Sequence, residues 1–153
     1  MPTIRFQLDS SLPPADVLAG ITNFGADRAK VWPNVDTSHF QVHRSGPGWA
    51  EVTEGSAIAG GVWERERYSW DAARGTVAVE TLDSNTWGAG SRWDYQLVPV
   101  AGGTRIEATV VRNPKSWKGR LIGLGLAVAG PAMLRTQMQQ ALVRIAAQAH
   151  ADG

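Results

Sequence analysis

Polar and apolar residues alternate along most of this chain, and the alternation lapses only after the first strand and at the end. Thr3–Leu8 sets Ile4, Phe6 and Leu8 against Thr3, Arg5 and Gln7, the pattern of a half-buried strand. Ser10, Ser11, Pro13 and Pro14 then read as a helix start, opening a short helix from Ala15 to about Asn23 that ends near Gly25. A second short helix, Ala26–Trp32, stops before Pro33, because a residue preceding proline is pushed out of the helical region. Period-two alternation returns at His39–His43, Trp49–Glu54, Val62–Asp71, Thr76–Asp83, Ser91–Val100 and Thr104–Arg112. Glycine-bearing turns separate these strands at Ser45–Gly48, Gly55–Gly61, Ala72–Gly75, Ser84–Gly90 and Ala101–Gly103.

Registers follow from keeping each apolar set on one face. In the last hairpin, pairing Leu97 with Ile106 puts Trp93, Tyr95 and Leu97 beside Ile106, Ala108 and Val110, and leaves the charges on the other face. Setting Asp71 opposite Thr76 aligns Tyr68 and Trp70 with Val77 and Val79. It also places Arg67 opposite Glu80 as an outer-face ion pair, whereas a one-residue slip would oppose Glu66 and Glu80. Phe40, Val42, Ala50 and Val52 are expected to point inward from the earlier strands.

The chain closes with a helix from about Ser116 to Ala149. Its second half repeats Leu134, Met138, Ala141, Leu142, Ile145 and Ala149 at spacings of three and four, the stripe of a helix packed on a sheet. Its first half, Leu121–Leu134, is uncharged and carries Gly123, Gly125 and Gly130, each costing about 1 kcal/mol of helix propensity relative to alanine. Either these small residues leave room for a ligand, or they mark close helix–sheet approach or a break at Gly130–Pro131. A membrane span needs about twenty apolar residues, so the shorter run reads as a buried helix, with transient membrane contact through Lys115, Lys118 and Arg120 as the alternative.

That inward face carries unusual company. Glu54, Glu64 and Glu66 share the parity of Ala50, Val52 and Tyr68, so carboxylates would point into an apolar concavity. Desolvation there raises a carboxyl pKa and suits it to acid–base chemistry. The alternative is a wet rim, or a bulge that turns them outward. Trp87, in the loop DSNTWGAG, is a candidate lid over the cavity mouth or an aromatic plug. Trp49 and Trp63 have outward parity, and a shared patch would serve a homodimer.

Composition narrows the classes. The 153 residues suit one domain, 1–153, and a net charge of +1 gives no field for nucleic acid. There are no cysteines, hence no disulfides or thiolate metal sites. The N-terminus lacks the apolar segment of a secretory signal, and a cytoplasmic protein is expected. His39 and His43 would lie about 13 Å apart on a strand, too far to share a metal ion. His150 belongs to the terminus. No phosphate loop or serine nucleophile motif is present, and no metal or cofactor is implied.

A strand, two small helices, six antiparallel strands and a long closing helix make an α+β architecture. With the segments VWERERYSWD, ETLDSNTWGAGSRWDYQLVPVAGGTRIEATVVR and GRLIGLGLAVAGPAMLRTQMQQALVRIAAQA, the whole chain resembles the helix-grip fold of the START and birch-pollen-allergen (SRPBCC) superfamily. Within it, the chain is similar to the polyketide cyclase/dehydrase and lipid-transport group. The resemblance implies a curved sheet of about seven strands wrapped around the C-terminal helix, with an apolar cavity between. It carries no catalytic motif over.

Two function classes follow. The first is binding or transport of a small hydrophobe such as a lipid or polyketide, where about eight buried methylenes contribute roughly 6 kcal/mol before association costs. The ligand-facing set would be Glu54, Glu64, Glu66, Tyr68, Val79, Thr81, Trp87, Trp93, Tyr95, Ala108, Val110, Leu124 and Val128. The second is a cyclase or dehydratase in which Glu64 or Glu66 moves a proton while Tyr68 or Tyr95 polarises an oxygen. A protein-interaction domain with a self-filled cavity is the weaker third.

Overall fold

In a computed structural model that describes residues 2–57 and 61–151, the alternating segments become seven strands of one antiparallel sheet. The elements are β1 (Thr3–Ser10), α1 (Pro14–Ile21), α2 (Arg28–Val31), a 3-10 turn at Thr37–His39, β2 (Gln41–Gly46), β3 (Trp49–Ser56), β4 (Val62–Asp71), β5 (Thr76–Ser84), β6 (Arg92–Val100), β7 (Gly103–Val111) and α3 (Trp117–Ala151). The strand order is β1-β7-β6-β5-β4-β3-β2, so β1 and β2, neighbours in sequence, form opposite edges. Part of the expected Gly55–Gly61 turn, and the side chains of Ala149 and His150, lie outside the described residues.

The registers agree with the face-matching argument. Leu97 stands opposite Ile106, Asp71 opposite Thr76 and Arg67 opposite Glu80. The expected ion pair does not form there. Arg67 instead reaches across to β3, where Glu51 takes Arg67 at 2.9 Å, Arg44 at 2.7 Å and Arg65 at 3.4 Å. One carboxylate under three guanidiniums is the stronger attractor on that outer face, and the Arg44 hydrogen bond holds Glu51 below the usual glutamate pKa.

Between β4 and β5 the pairing shifts: Glu66 meets Thr81, but Arg65 meets Asp83. The extra residue, Leu82, is exposed and sits on β5, so β4 keeps Glu64, Glu66 and Tyr68 on one face. At the β2 edge the sequence expectation fails. His39 belongs to the 3-10 turn, and Val42 is exposed because it stands on an edge strand whose pairing with β3 slips between Val42 and Arg44. His43 shares a hydrogen bond with Thr53 Oγ1 at 2.6 Å.

The concave face of the sheet grips α3 unevenly. Leu134, Met138, Ala141, Leu142 and Ile145 are buried with Val17 and Ile21 of α1 and with Ile4, Phe6 and Leu8 of β1. Helix α3 runs unbroken through Pro131. Two glycines in its first half mark close approach: a Cβ at Gly119 would lie 2.9 Å from Thr86 O, and one at Gly130 would lie 3.2 Å from Ile4 Cδ1. A Cβ at Gly125 would meet nothing within 4 Å. Both meanings of the glycines are realised, at different positions.

Candidate ligand cavity

Where α3 stands away from the sheet, a cavity of about 350 Å³ opens between Ile122–Met138 and the inner faces of β3 to β6. Glu54, Glu64, Glu66 and Tyr68 line it, as do Val79, Trp87, Trp93 and Tyr95. Ala108 and Val110 do not reach it, because β7 lies under the packed part of the core. Thr81 stands behind the wall, donating to Glu64 Oε2 at 2.8 Å. Leu124 and Val128 point to solvent, since the helix turns Ile122, Leu126 and Ala129 inward instead.

Two arginines missed by the pattern organise the polar wall. Arg28 of α2 is buried and bonds Glu54 through Nε, the Ile21 and Asn23 carbonyls through Nη1 at 2.9 Å each, and the Tyr68 hydroxyl through Nη2 at 3.0 Å. The Tyr68 hydroxyl in turn donates to Glu54 Oε2 at 2.9 Å. Burial opposes the charge on Arg28, but Glu54 and Tyr68 outweigh it and raise the pKa above its ordinary value. Burial, then Glu54, also raises Tyr68. With its hydroxyl committed on both sides, Tyr68 is structural and is not free to polarise a ligand oxygen.

Arg112 follows β7 on the inward parity of Ile106, Ala108 and Val110. Its guanidinium lies between two indoles, 5.2 Å from the Trp87 ring centre and 5.1 Å from that of Trp93, and Nη1 donates to Glu64 Oε2 at 2.9 Å. Among the described residues no other side-chain nitrogen of Arg112 meets an acceptor, and Arg112 lines the cavity. Trp87 is buried, paired with Pro114, and forms the end wall; it is the plug of the two alternatives rather than a lid. Trp49 and Trp63 pair with Ser69 and Gly55, about 20 Å apart along the strands, so no shared outer patch forms.

Glu66 lies between the two ion pairs, buried, with no hydrogen-bond donor for its carboxyl among the described residues. Burial is the main reason its pKa rises well above the glutamate value, and the charges of Glu64 and Glu54 add to it. Tyr95, stacked on Trp93 at 6.2 Å, is raised by burial and then by Glu66. No group of three metal-ligating side chains occurs among the described residues.

A sheet gripping a long helix over a partly polar cavity defines a helix-grip protein with an internal chamber. The chain belongs to the family described as polyketide cyclase / dehydrase and lipid transport, whose model matches residues 1–150. No curated protein matches the sequence. Among solved structures, an aromatase/cyclase from Streptomyces sp. R1128 shares 14% identity over 99% of this chain and 97% of that one, with a TM-score of 0.79. A START superfamily protein from Mycobacterium smegmatis shares 12% identity over 86% and 98%, with a TM-score of 0.64. Norcoclaurine synthase from Thalictrum flavum, solved with dopamine and hydroxybenzaldehyde, shares 13% over 95% and 86%, with a TM-score of 0.67. At these identities the neighbours establish the helix-grip fold, and the family supports a ligand-binding or cyclase role.

Proposed function

We propose that the protein binds a small, mostly apolar molecule carrying a hydrogen-bonding oxygen, a lipid or polyketide fragment in class. The observation that carries this reading is Glu66: a buried carboxyl without a donor among the described residues, facing a cavity whose other acids are already paired. Kept neutral by its surroundings, it would donate to a ligand carbonyl or hydroxyl, while the unused N–H groups of Arg112 would meet an acceptor nearby. The apolar remainder would lie against Trp93, Val79 and α3. A volume of about 350 Å³ falls at the lower end of the range typical of small-molecule sites.

The raised pKa of Glu66 favours a second reading, a cyclase or dehydratase in which the same carboxyl transfers a proton. Tyr95 would then be the hydroxyl that polarises an oxygen. Native mass spectrometry of the purified protein, followed by solvent extraction, tests binding. A stoichiometric hydrophobe supports it, while a clean protein that also rejects fluorescent hydrophobic probes would defeat it. Glu66→Gln separates the readings: a carrier keeps most of its affinity, whereas an enzyme loses turnover by about two or more orders of magnitude.

A further inference from the structure

The first half of α3 carries bulky apolar residues on its outer side as well as toward the cavity. Its sheet side carries Gly119, Gly123 and Gly130, all buried, while Trp117 (75% exposed), Leu121 (58%), Leu124 (63%) and Val128 (87%) stand in solvent. Their spacings of four, three and four place them on one stripe, about 16 Å long at 1.5 Å per residue. An ordinary surface helix carries polar residues on such an outer stripe. The helix is long and apolar enough to cross a bilayer by length and composition, and only 22% of its most apolar stretch is buried. Its other face is nevertheless held by the sheet, which fits a helix lying on a membrane and not one spanning it.

Charge selects the occupant. From Trp117 to Ala151 the helix holds Lys118, Arg120, Arg135 and Arg144 and not one Asp or Glu. At 3.6 residues per turn, Lys118 and Arg120 fall on opposite flanks of the stripe and Arg135 lies on its continuation beyond Val128. A second copy docked through the same stripe would bring these cations against one another. An anionic bilayer complements them, and it also accepts an indole at the level where Trp117 sits, beside the basic end.

We propose that Trp117, Leu121, Leu124 and Val128, flanked by Lys118, Arg120 and Arg135, form a docking face for an anionic lipid surface. This face stands independently of what occupies the cavity, although Ile122, Leu126 and Ala129 on the same helix line that cavity and would place it close to the membrane.

The test is cosedimentation of the full chain with phosphatidylcholine vesicles, with and without about 30% phosphatidylglycerol. The protein is expected to pellet with the anionic vesicles and to be released as salt is raised. The variant Leu124→Glu/Val128→Glu should bind about tenfold or more weakly, with its thermal unfolding unchanged because both side chains stand in solvent. Lys118→Glu/Arg120→Glu should abolish the preference for anionic vesicles. Failure of the parent chain to bind, or equal binding by the Leu124→Glu/Val128→Glu variant, would overturn the proposal. So would a parent dimer in solution that this variant turns into a monomer, since the stripe would then belong to a second copy.

Discussion

Arg28 on the single-turn helix α2 donates to the hydroxyl of Tyr68 on β4 at 3.0 Å, and this contact ties the brace after β1 to the middle of the sheet. The same guanidinium holds Glu54, so three elements share one buried charge network. Replacing Arg28 with methionine leaves Glu54 and Tyr68 without their donor in a desolvated place. A loss of about 3 kcal/mol or more is expected in urea unfolding, against about 1 kcal/mol for Tyr68→Phe. Equal small losses would show that the network is wet.

Glu66 makes stability depend on pH with a definite sign. Its neighbours are Glu64 and Tyr68 on β4, Glu54 on β3, Tyr95 on β6, Arg28 on α2 and Arg112 after β7, and the net result is a raised pKa. Between the unfolded and folded pKa the native state holds a proton that the unfolded chain has lost. Stability from this group is therefore complete below the unfolded value and falls with rising pH, at up to about 1.4 kcal/mol per unit, until the folded value is passed. Glu66→Gln should remove that decline, so the variant gains on the parent as the pH rises from about 5. Parallel stability–pH curves for the two proteins would refute this.

The α3 glycines should respond in opposite directions. Gly125→Ala enters open space and should stabilise by about 1 kcal/mol through helix propensity. Gly119→Ala drives a methyl toward the Thr86 carbonyl and should destabilise, by about 1–3 kcal/mol. Thermal unfolding of the two single variants reads both signs.

Arg112 predicts a charge preference in the cavity. Its free N–H groups should hold an anionic apolar dye such as anilinonaphthalene sulfonate, and Arg112→Gln should weaken it about tenfold or more. A neutral naphthylamine dye should lose less. Fluorescence titration with both dyes distinguishes a specific loss from general damage to the cavity.

How far the sequence reaches can be seen at particular residues. Leu97 against Ile106 and Asp71 against Thr76 were legible because one slip in register exposes an entire apolar face or opposes two acids. The inward acids on β3 and β4 followed from the same parity. Leu124 and Val128 were misplaced because Leu121–Leu134 is apolar on all sides, so no polar face fixes its rotation about the axis. Arg112 could have been found, since it continues the parity of Ile106, Ala108 and Val110. Arg28 could not, because four helical residues carry no period. Trp87 could be read from its loop as either lid or plug, because its contacts with Arg112 and the bridge to Pro114 are remote in sequence.

The strand order also dictates when the chamber can exist. The pairs β4–β5 and β6–β7 join neighbours in sequence and can zip as soon as they are made. Strand β1 must wait for a partner a hundred residues downstream, since Thr3 lies against Val111. A chain emerging from a ribosome thus carries its first strand unpaired until its seventh is complete, and only then can α3 settle into the grip. Pulse-labelled hydrogen exchange should find the amides of β1 protected after those of the β6–β7 hairpin, with the chamber the last part of the molecule to be enclosed.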